Sequence, residues 1–95
     1  MLETTPKVSR VYNLMTALRS YLSSDKYNHL ARKASHWEPE NFWKNMKREV
    51  EVLKIPQNPF DERCVMIYAI LSQKSFEEMR EQMLVSSTQT QPSLP

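Results

Sequence analysis

The sequence contains no glycine, where average usage of about 7% would supply roughly six in a chain of this length. That absence excludes whole classes of chemistry. Phosphate-cradling loops, dinucleotide fingerprints and nucleophile elbows all need glycine where backbone approaches a ligand or takes φ > 0. Two-residue hairpins lean on glycine too, so a strand-rich fold is disfavoured while helices tolerate the lack. A single cysteine, Cys64, can form no internal disulfide, and nothing ties the chain to an oxidising compartment. The longest apolar run, Cys64 to Leu71, is far too short to span a bilayer. Met1 to Arg10 lack the basic segment, apolar stretch and small-residue cleavage site of a secretory signal. The expected location is therefore intracellular, in cytoplasm or nucleus, with no membrane partner. A net charge of +2 over 95 residues is too small to argue for a general polyanion binder.

What is present reads as one all-α domain, a compact bundle of about five helices around a central apolar one. Thr5-Pro6 is a cap followed by proline at the first helical position, opening a helix over residues 6–23. Its apolar set, Val8, Val11, Tyr12, Leu14, Met15, Leu18, Tyr21 and Leu22, covers about half the circumference at 100° per residue. Such a stripe suits two neighbours, or one neighbour and a partner. Ser23-Ser24-Asp25 supplies caps before a short helix over 26–34. Pro39 opens the next, to Lys54, with Phe42, Trp43, Met46, Val50 and Leu53 on one side and Lys44, Lys47, Arg48, Glu51 and Lys54 opposite.

Asn58-Pro59 repeats the cap-plus-proline signature and opens a fourth helix to about Ser72, with Phe60 as a core anchor. Its Cys64–Leu71 portion is apolar all round, which predicts burial on every side. Ser75-Phe76-Glu77-Glu78 is a capping box for a fifth helix to about Val85. Residues 1–5 form a lead and 6–85 the bundle. Ser86 to Pro95, all Ser, Thr, Gln and Pro but for one leucine, read as a flexible tail or linker, as in a domain of a larger protein.

No constellation carries catalysis. His29 and His36 lie seven residues apart and Cys64 is remote, whereas zinc sites take four ligands in close pairs. Cys64 heads the apolar run, where cysteine behaves as a small hydrophobe. Asp61 and Glu62 read as first-turn acids that complement the helix dipole. The chain is thus expected to be no enzyme and to take no cofactor, metal or small-molecule substrate. Asn58-Pro59-Phe60 resembles the tripeptide that EH domains recognise. Leu30-Ala31-Arg32-Lys33, followed by an amphipathic helix and an apolar one, resembles the death-fold superfamily of homotypic interaction domains, which implies a six-helix alternative.

Two surfaces are the candidates for function. Leu14, Leu18, Tyr21, Trp37 and Trp43 are the expected partner-binding face of a protein–protein interaction module, an adaptor or a homo-oligomer. Six methionines add adaptable apolar surface. The rival is a nucleic-acid-binding or regulatory domain that uses Arg32, Lys33, Lys44, Lys47 and Arg48 as a cationic face.

Overall fold

The structure, a computed structural model, describes residues 6–89 and the side chains of residues 9–86. Within them lie five α-helices: α1 Pro6–Tyr21, α2 Ser24–Ala34, α3 Phe42–Leu53, α4 Glu62–Leu71 and α5 Phe76–Gln89. A 3-10 turn, Pro39–Asn41, leads into α3. The described residues contain no strand and no sixth α-helix. The five-helix reading holds, and the six-helix alternative drawn from the death-fold resemblance gives way to it.

α4 is the centre of the bundle because its sequence has no polar side from Cys64 onward. Cys64, Val65, Ile67, Ala69, Ile70 and Leu71 are all buried. It divides the interior into two parts. In the larger, Ile67, Ile70 and Leu71 meet Leu14, Ala17 and Leu18 of α1, Leu30 of α2, and Met46 and Val50 of α3. In the smaller, Val65 and Ala69 meet Met79 and Met83 of α5. Each fully buried aliphatic side chain contributes about 1.5–3 kcal/mol relative to exposure, and α4 supplies six of the fifteen buried hydrophobic residues among those described, more than any other helix.

The helix ends show how the chain manages without glycine. Helices commonly close on a left-handed residue, usually glycine. Here Lys54 (φ 56°) and Gln73 (φ 58°) take that conformation after α3 and α4. Around Gln73 the Lys74 N–H donates to the Ala69 carbonyl at 2.9 Å and the Gln73 N–H to Ile70 at 3.2 Å. That is the paired Schellman arrangement that satisfies the last carbonyls of α4.

Several expected boundaries move: α1 ends at Tyr21 rather than residue 23, and α2 begins at Ser24 rather than residue 26. Pro39 opens the 3-10 turn rather than α3 itself. α5 continues past Val85 to Gln89, since no proline interrupts it before Pro92. Ser86–Gln89 therefore belong to a helix, and the rest of the expected tail, like residues 1–5, lies outside the described residues. α4 starts at Glu62 rather than near Pro59, with consequences for the surface. No helix among the described residues is long and apolar enough to cross a membrane.

Candidate interaction surface

Helical periodicity placed Leu14 and Leu18 on an accessible face, and packing removes them from it. Both have 0% exposure, held between α1 and α4. The broad stripe of α1 is used by two internal neighbours, so these leucines are core and offer a partner nothing. Tyr21, Trp37 and Trp43 are half-buried against the same core. The Arg63 guanidinium lies 5.0 Å from the centroid of the Tyr21 ring. Trp37, Phe42 and Trp43 form an edge-to-face chain with centroids 5.8 and 5.0 Å apart, and Arg10 covers Trp43. The expected partner face is thus taken up largely by internal contacts.

A different residue carries the exposed apolar surface. Phe60 is 79% exposed, not the core anchor the sequence suggested, and its position follows from a choice between two caps. The Asn58 carboxamide oxygen accepts the Phe60 N–H at 2.9 Å, and the Asn58 carbonyl accepts the Asp61 N–H at 3.2 Å. These bonds close a local turn of the kind asparagine and proline favour. Asp61 then caps α4 by accepting the Arg63 N–H at 2.9 Å. Its carboxylate pairs with the Arg63 side chain at 2.9 Å, and that hydrogen-bonded guanidinium holds the Asp61 carboxyl below its usual range. Arg63 also donates to the Ser20 carbonyl at 3.0 Å, linking α4 to the end of α1.

The turn is anchored from behind. Ile55 and Pro59 are buried, and the Tyr68 hydroxyl of α4 donates to the Ile55 carbonyl. The anchored loop holds the backbone that carries Phe60. Beside the ring is a hollow of about 180 Å³ lined by Pro59, Phe60, Glu62, Phe76 and Arg80. Glu62 also borders a second hollow, about 300 Å³, between α1 and α4 with Ala17 and Met66 on its walls. Neither Glu62 nor Arg80 makes an ion pair among the described residues. Tyr12, Val52 and Val85 are also exposed, each on a different helix. The signal that could have found Phe60 was Asp61 itself, an equally good cap standing closer to the apolar run.

The cationic candidates fall on neighbouring helices, Arg32 and Lys33 on α2 and Lys44, Lys47 and Arg48 on α3, and all five are exposed. Lys33 pairs with Glu49 across α2 and α3 at 3.0 Å, which spends one cation on the fold. The other four make no ion pair among the described residues. Burial pushes the Cys64 thiol up from its ordinary value, the opposite of what a thiolate nucleophile needs. No group of three or more His, Cys, Asp or Glu side chains among the described residues is arranged to hold a metal ion. No family model, curated protein or solved structure matches the chain.

Proposed function

We propose that the chain is a non-catalytic protein–protein interaction module that docks through the surface around Phe60. The observation that carries this reading is a large aromatic side chain 79% exposed on a turn whose backbone is fixed by hydrogen bonds and two buried residues. Single exposed apolar residues are ordinary. A preorganised one beside a hollow loses less entropy on binding, and buried aromatic anchors dominate interface energetics. Opposite charges at its edge, Glu62 and Arg80, supply the polar rim that such sites carry.

A photo-crosslinking amino acid at position 60, compared with one at position 44, tests this in cell extract. Protein adducts from position 60 alone, competed by the wild-type chain but not by Phe60→Ala, are expected. Equal labelling from both positions, or competition by Phe60→Ala, would refute the reading.

The second reading, nucleic-acid binding, is favoured by Arg32, Lys44, Lys47 and Arg48, which stand exposed without acidic partners among the described residues. It requires an affinity that falls steeply with salt, by counterion release. Adducts to nucleic acid from position 44 would support it.

A further inference from the structure

Phe60 does not fill the hollow beside it; most of its ring faces solvent. The space is of a definite size. Its volume is about 180 Å³, and an apolar cavity of about 150 Å³ accommodates a benzene molecule. The hollow is open to solvent and bordered by Glu62 and Arg80, so the comparison sets only its scale, that of about one aromatic ring, with Phe76 and Phe60 among its walls. Aromatic pairs prefer offset or edge-to-face contact, which two phenylalanine walls permit. Glu62 and Arg80 stand on the same hollow, unpaired among the described residues. α5, which carries Phe76 and Arg80, has its buried residues packed on α4.

We propose that the occupant is a second copy of this chain, docked about a two-fold axis that passes beside Phe60. The proposal rests on the reading of Phe60 as a docking anchor and names its partner. A knob and a hollow lying side by side on one patch are complementary to the same patch turned by 180°, which is the requirement for an isologous dimer. Each Phe60 enters the hollow of the other copy. Each Glu62 faces the Arg80 of the other copy, so two unpaired charges become two ion pairs. An unrelated partner would have to supply both the ring and the charges. A second copy already carries the ring and both charges on this one patch.

Sedimentation of the full chain up to about 0.5 mM, well above the micromolar affinities that small interfaces reach, tests the proposal. The wild type dimerises, and Phe60→Ala weakens dimerisation at least ~30-fold, as removal of a central aromatic anchor does. Glu62→Arg and Arg80→Glu each put like charges across the axis and dissociate the dimer. Mixing those two variants in equal amounts restores it, because each supplies the sign the other lacks. Circular dichroism checks that every variant keeps its helices, and Phe60→Ala, remote from the core, decides the matter alone should Glu62→Arg not fold. A wild-type chain monomeric at every concentration, a dimer indifferent to Phe60→Ala, or a mixture that stays monomeric overturns the proposal. A monomer that still crosslinks through position 60 to another protein overturns the second copy alone. A monomer that does not crosslink sinks the docking surface with it.

Discussion

Arg10 holds Trp43 under its guanidinium, with the group's central carbon 5.0 Å from the centroid of the ring. The same guanidinium donates to the Ile70 carbonyl, so one side chain of α1 joins α3 to α4. Cation–π contacts are worth about 0.5–2 kcal/mol according to how far they are desolvated, and the hydrogen bond adds about 1 kcal/mol.

Arg10→Ala is accordingly expected to lower stability by about 1–3 kcal/mol and to shift the Trp43 emission, read in a Trp37→Phe background. Arg10→Lys should restore only a part, because an ammonium cannot stack flat on the ring and reach the carbonyl together. Unchanged unfolding by Arg10→Ala would show the contact to be incidental.

Ile67 and Phe60 make an opposed pair. Ile67, at 0% exposure in the centre of α4, should cost about 2–5 kcal/mol when changed to Ala. Phe60→Ala should stay within about 0.5 kcal/mol, as surface changes do. Denaturant titration of both variants at a concentration where the chain is monomeric checks this, and a large loss at Phe60 there would place its ring in the core.

Gln73→Gly should stabilise the protein. Gln73 holds φ 58° to close α4, a conformation that costs a residue with a Cβ roughly 1–2 kcal/mol. Glycine removes that cost but loosens the unfolded chain, so a net gain of about 1 kcal/mol is expected. A lower melting midpoint would contradict the account of the turn.

Stability should fall at both ends of the pH scale. Burial raises the Cys64 and Tyr68 pKa values, so the folded state keeps protons that the unfolded state releases. Their contribution is complete below the unfolded values and is lost as pH climbs through the ordinary thiol value of 9.0 toward the raised one. Asp61 works in the other direction. Its carboxyl is held down by Arg63, so its contribution is present above 3.8 and lost as pH falls below it. Replacing Cys64 with Ala should flatten the alkaline limb of a stability profile, and the native thiol should resist alkylation at neutral pH until the protein unfolds.

Deleting residues 86–95 should move the melting midpoint by no more than a few degrees. Met83 is the last buried side chain among the described residues, and the deleted segment has almost no apolar set to bury. A drop of ten degrees or so would show that the segment docks on the bundle.

The sequence by itself determined the helical class, the five helices and the central place of α4. These are local facts. A chain without glycine, with caps and prolines before its apolar repeats, has few alternatives to helices, and a segment apolar on every side is satisfied only by burial on every side. What stays outside was decided by tertiary structure. Periodicity sets the phase of a helix about its own axis but not how many neighbours cover its stripe, so Leu14 and Leu18 looked like a partner's surface until α4 took them. Asn58 and Asp61 are about equal in local preference as caps. Burial of Pro59 and Ile55, with the Tyr68 hydroxyl bonded to the Ile55 carbonyl, goes with Asp61 as the helix start and with Phe60 facing water. The contacts of Arg10 with Trp43 and of Lys33 with Glu49 span 33 and 16 positions, separations at which sequence spacing says nothing about proximity and only the packed helices bring the charges to their partners.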